Sequence, residues 1–178
     1  MRWNDNPAGR NVFAERSAEK RTETRDDERT RARKKALVFL TGMDRTEHQL
    51  REKLEAAGFS ESAVNDAIEY VRSYGYIDDR RYAEHFIEIR RSGKSLQRIR
   101  MDLVRRGVPR DLIDEAIRRA REEDEDGELE LAMRLAQKKL KGRVPEDERE
   151  RQKLYAYLVR QGFSGSDALK VLSAVIDS

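Results

Sequence analysis

The side chains that could do chemistry here are few. The 178 residues contain two histidines, His48 and His85, and no cysteine. Thiol catalysis, disulfides and zinc ribbons are thereby excluded. The two histidines lie far apart, each in a charged helical stretch, and form neither a metal-ligand spacing nor a nucleophile–base pair. Gly93-Lys94-Ser95 matches the end of a phosphate-binding loop, but the first glycine of that motif would fall at Glu88, inside a helix and with no preceding strand. Asp78 and Asp79 are adjacent, so their carboxylates diverge, and capping of the following helix explains them. No catalytic, cofactor-binding or metal-ligating residue is expected. The chain reads as a non-enzyme without a cofactor.

Charge offers a better lead than catalysis. Net charge is +3, yet residues 80–121 carry thirteen basic and six acidic side chains, whereas residues 122–130 carry seven acids and no base. Within the basic segment Arg90, Arg91 and Lys94 end one helix, and Arg98, Arg105 and Arg106 belong to the next, beside a buried stripe of Leu96, Ile99 and Leu103. Arg98 and Arg105 are seven residues apart and share a helical face. These six residues are the candidate surface for phosphates or an acidic protein. A solvated face, neutralised by partners one turn away, is the plain alternative. No aromatic platform interleaves with these cations, which argues against stacking on bases.

The elements that position them repeat. Three times a helix ends in Leu/Ile-x-x-x-Leu-x-x-x-Gly followed by an apolar residue: Leu50, Leu54, Gly58, Phe59; Ile99, Leu103, Gly107, Val108; Leu154, Leu158, Gly162, Phe163. Each glycine suits the left-handed stop of a helix. Ser60, Pro109 or Ser164 then starts the next helix, which buries Val64, Ala67 and Ile68; Ile113, Ala116 and Ile117; or Ala168, Val171 and Leu172. Upstream helices over 30–41, 79–91 and 128–141 stop at Gly42, Gly93 and Gly142. The middle helices start at Thr46, in a Thr46-x-x-Gln49 capping box, at Ser95 and near Pro145.

The expected fold is all-α: three tandem three-helix units, nine helices, forming an elongated, curved helical-repeat body. The units span 30–77, 78–121 and 128–177. An acidic linker fills 122–127, and residues 1–28, whose large apolar side chains are Trp3, Val12 and Phe13, form a disordered N-terminal arm. With 41% charged residues the chain cannot build one large core. No signal peptide or membrane span is visible, and a cytoplasmic location is expected.

The junction Gly75-Tyr76-Ile77-Asp78-Asp79-Arg80-Arg81-Tyr82-Ala83 closes one helix and opens the next, with Tyr76 or Ile77 stapling onto Tyr82 or Phe86. With Arg90, Gly93, Ile99 and the Leu103-x-x-x-Gly107-Val108 ending, it resembles the hallmark of the RecX family, bacterial regulators of the RecA recombinase. The resemblance covers about residues 30–176 and is best in the central unit. It implies a regulator that binds the RecA–DNA filament, lies along its groove and inhibits ATP hydrolysis, filament growth and strand exchange. Recombination, DNA repair and the SOS response would be modulated. It also implies nucleic-acid contact, direct or through the filament; separately, a monomer without membrane association is expected. The signature residues Gly75, Tyr76, Ile77, Asp78, Asp79, Tyr82 and Gly107 are read as structural. An independent DNA-binding protein and a helical protein–protein adaptor remain the other readings.

Overall fold

The computed structural model describes residues 7–177, with side chains from residue 24 onward. Among the described residues there are nine α-helices and no strand: α1 (Pro7–Leu40), α2 (Glu47–Ala56), α3 (Glu61–Ser73), α4 (Asp79–Arg90), α5 (Leu96–Arg105), α6 (Arg110–Glu123), α7 (Gly127–Leu140), α8 (Glu148–Arg160) and α9 (Gly165–Ile176). They form three three-helix bundles, α1–α3, α4–α6 and α7–α9, each around its own apolar cluster. The first bundle is one compact unit; the second and third together make another.

The repeated Leu-x-x-x-Gly-apolar ending is a complete helix stop. Phe163 N–H donates to the Leu158 carbonyl at 3.2 Å and Gly162 N–H to that of Val159 at 2.9 Å, with φ of +92° at Gly162. The same pair of bonds recurs at Phe59 and Gly58 and at Val108 and Gly107. Each leucine accepts the bond of the apolar residue after the glycine, and Leu54, Leu103 and Leu158 are themselves fully buried. One motif thus satisfies orphan carbonyls and folds the chain back onto the core. Gly75 closes α3 identically, with Tyr76 N–H on the Val71 carbonyl at 2.9 Å.

Helix starts lie where expected, and one is capped differently. Thr46 and Gln49 form the expected capping box and the Ser95 hydroxyl accepts from Arg98 N–H, but α8 is capped by Asp147, two residues after Pro145. Ser60 occupies the cap position of α3, yet its hydroxyl makes no cap bond. It donates instead to Glu28 of α1 at 2.8 Å, and Ser60 N–H donates to the same carboxylate at 2.8 Å. A distant acid thus holds the cap residue itself and ties α1 to α3. Ala32 and Ala36, both fully buried, line α1 where it packs in the first core.

The arm expected over 1–28 is helical from Pro7. Trp3 lies outside the described residues, as do the side chains of Val12 and Phe13. Between Gly9 and Gly42 there is no glycine or proline, and Ala, Glu, Arg and Lys predominate. Helix propensity accounts for the helix over residues 7–28, where the sequence carries no apolar periodicity. The expected linker 122–127 is shortened to residues 124–126, since α6 runs through Glu123 and α7 begins at Gly127. Ile77 is buried in the first core and Tyr76 stacks on Tyr74 at 6.1 Å, whereas Tyr82 and Phe86 pack on the second core.

Candidate interaction surface

The six candidate cations divide into four arrangements. Arg90 and Arg106 flank Phe86, their guanidinium carbons 5.6 and 4.8 Å from the ring centroid. Phe86 stacks on Tyr82 at 6.0 Å, and Arg106 donates to the Tyr82 hydroxyl at 3.2 Å. The two arginines are therefore held at the α4–α5 corner by ring faces, an attraction worth about 0.5–1 kcal/mol each at exposed sites. Arg91 turns toward the end of α6 and pairs with Asp124 at 2.8 Å and Glu123 at 3.9 Å.

Lys94 and Arg105 converge on Asp102. Lys94 donates at 2.6 Å and Arg105 also bonds the carboxylate, whose side chain is 15% exposed. The Lys94 hydrogen bond holds the Asp102 carboxyl below its usual range against the opposing effect of burial, and Arg105 adds to the lowering. Arg98 reaches across bundles and donates to the Arg160 carbonyl at 3.0 Å. The structure thus brings Arg90 to Arg106 and Lys94 to Arg105, and does not gather all six. Three of them, Arg91, Lys94 and Arg105, spend charge on carboxylates.

Much of the remaining positive charge of the second bundle is internally paired. Arg119 bonds Glu84 and Glu115, both at 2.8 Å, Arg80 pairs with Glu115, and Arg100 with Asp114. The cleft of about 700 Å³ between α4 and α6 is lined by opposite charges, including Arg91, Glu123, Glu84 and Arg119. Such a surface is close to self-neutralised.

The second and third bundles meet through helix ends. The Ser95 hydroxyl donates to the Gln161 carbonyl at 2.6 Å, Arg134 donates to the Ser92 carbonyl at 3.1 Å, and Leu96 N–H donates to Glu128 at 2.7 Å. Burial raises the Glu128 carboxyl above its ordinary range, with Asp167 adding to the rise; the Leu96 hydrogen bond and Arg121 oppose it.

This architecture is that of a known family. The family models for the first, second and third three-helix domains of RecX match residues 32–70, 78–117 and 126–172. The chain belongs to the RecX family. A "Regulatory protein RecX" of Trichlorobacter lovleyi is 37% identical over 142 residues, which cover 77% of this chain and 90% of that protein. One from Clostridium botulinum is 35% identical over 129 residues, covering 71% of this chain but 59% of the longer relative. The crystal structure of RecX from Lactobacillus salivarius shares the fold, with a TM-score of 0.76, 20% identity, and coverage of 84% of this chain and 97% of that one. The relatives are named as regulatory proteins. No helix among the described residues is long and apolar enough to cross a membrane.

One group of cations escaped the reading of the basic segment. Arg149, Lys153 and Arg160 of α8 line an open groove with Lys139 of α7. Their signal was the spacing of four and seven residues. It was hidden because Glu148 and Glu150 dilute the local charge.

Proposed function

We propose that the chain is a non-enzymatic regulator that binds the RecA–DNA filament and restrains its ATP hydrolysis, growth and strand exchange. Recombination, DNA repair and the SOS response are thereby modulated. The observation that carries this reading is the match of all three three-helix domains, in order, to the RecX domains. The helical bundles and their exposed cations are compatible with a polyanionic filament, where many weak contacts add through effective concentration. Of the six candidate residues, Arg90, Arg98 and Arg106 are assigned to the contact surface, Arg90 and Arg106 because the Phe86 ring holds them at the α4–α5 corner and Arg98 because it reaches the end of α8. Arg91, Lys94 and Arg105 are assigned to holding that surface in place. Gly75, Tyr76, Ile77, Asp78, Asp79, Tyr82 and Gly107 act through the fold. The protein works as a cytoplasmic monomer in this reading.

The deciding experiment adds the purified protein to preformed RecA filaments on single-stranded DNA and follows ATP turnover. Stoichiometric protein slows turnover if the reading is right. Unchanged turnover overturns it.

A further inference from the structure

The groove on the third bundle has a one-signed charge pattern, in contrast to the cleft between α4 and α6. It encloses about 500 Å³ and is lined by Lys139, Arg149, Gln152, Lys153, Ala156 and Arg160, four cations and no carboxylate. The cleft on α4–α6, by contrast, balances its arginines with Glu84, Glu88 and Glu123. Arg149, Lys153 and Arg160 form no ion pair among the described residues, although acids are common throughout the chain. Lys139 is held over the Tyr157 ring at 5.5 Å, a contact that positions the ammonium without cancelling its charge.

Geometry extends the groove into a row. Residues 149, 153, 156 and 160 recur on one face of α8, and a rise of 1.5 Å per residue spreads Arg149 to Arg160 over about 16 Å. Arg98 of α5, bonded to the Arg160 carbonyl, continues the row beyond the end of α8. A single small anion could meet only part of such a line. A strand carrying one phosphate per about 3.4 Å could meet all of it. An acidic protein surface fits less well, because protein interfaces are anchored by buried aromatic or large apolar side chains, and Ala156 is the only apolar residue lining the groove.

We propose that the α7–α8 groove is a direct binding site for the phosphate backbone of a nucleic-acid strand, with Arg149, Lys153 and Arg160 as the contacting row. This rests on the filament reading only for choosing nucleic acid among polyanions. Because the contacts are to phosphate, the site does not select sequence. Binding releases the counterions condensed along the strand, so affinity falls steeply as salt rises.

The test uses the full chain without RecA and measures anisotropy of a labelled oligothymidine across a salt series. Wild-type protein binds, and Arg149→Gln with Lys153→Gln weakens binding by about ten-fold and flattens the slope of log K against log salt by about 1.4, at about 0.7 per phosphate contact on a single strand. Arg149→Lys with Lys153→Arg retains both affinity and slope. Helicity and melting of the glutamine variant are checked by circular dichroism; both changes are on exposed side chains. Unchanged affinity and slope in the glutamine variant overturn the proposal. So does wild-type protein that binds polyglutamate but not the oligonucleotide. Oligonucleotide binding by this groove together with unaltered RecA turnover would remove the filament reading alone.

Discussion

A Cβ on Gly162 would stand 2.6 Å from the Ser95 hydroxyl oxygen, too close for any real side chain. The glycine that ends α8 is thus also one of the points where the third bundle touches the second. Two demands, a left-handed backbone and a close approach, fall on one residue. Gly162→Ala meets both penalties, whereas Gly58→Ala, with φ of +84° and open space around its Cβ position, meets only the first. Chemical denaturation should show a loss of about 1 kcal/mol at Gly58 and roughly 1–2 kcal/mol more at Gly162. Equal losses at the two sites would mean that the Ser95 contact adapts freely.

Ser95 itself does two jobs with one hydroxyl. It accepts from Arg98 N–H at 3.3 Å as the cap of α5 and donates to the Gln161 carbonyl at 2.6 Å, while 1% exposed. Ser95→Ala removes both bonds and should cost about 2 kcal/mol, the sum of a cap and a buried hydrogen bond. Ser164→Ala, at an exposed cap of α9, should cost about half as much. Thermal melting of the two variants side by side tests the difference.

What could be read in the sequence was what is local. The three Leu-x-x-x-Gly endings and the Thr46–Gln49 box are closed within six residues, so residue type and spacing suffice to find them. The fate of the cations was not local. Arg91 meets Asp124 thirty-three residues away, and Arg98 meets the Arg160 carbonyl sixty-two residues away. Counting charge over a segment treats such residues as free, and only packing decides which acids reach them. Ser60 shows the same limit: a serine at a helix start suggests a side-chain cap, and its hydroxyl donates instead to Glu28, thirty-two residues away. The helix over residues 7–28 was missed for the converse reason, since its propensity is local but its missing apolar stripe suggested an arm.

Glu28 supplies an independent check on the first bundle. Bonds from Ser60 N–H and hydroxyl hold its carboxyl below the usual range. Glu28→Ala removes the carboxylate partner of Ser60 N–H. Amide hydrogen exchange at Ser60 should therefore accelerate markedly, with little change at Leu50 or Leu54 in the buried core of the same bundle. Unaltered exchange at Ser60 would show that water replaces the carboxylate without penalty.

Two carboxylates of the second unit should move stability in opposite directions with pH. Asp102 is lowered by Lys94 and Arg105, so the folded chain releases this proton more readily than the unfolded one. Its contribution is complete above the unfolded value of about 3.9 and is lost as pH falls through the lower folded value. Asp102→Asn should flatten the acid limb of a plot of urea midpoint against pH. Glu128 is raised by burial, with Asp167 reinforcing and the Leu96 hydrogen bond and Arg121 opposing. The folded chain holds that proton more tightly, so its effect favours folding at low pH and fades as pH rises from about 4.3 through the raised folded value. Glu128→Gln keeps an acceptor for Leu96 N–H and removes the titration. The glutamine variant should gain stability relative to wild type above that window and lose the advantage below it. Parallel curves for wild type and Glu128→Gln would show that the joint between α5 and α7 tolerates a charged carboxylate as easily as a neutral amide.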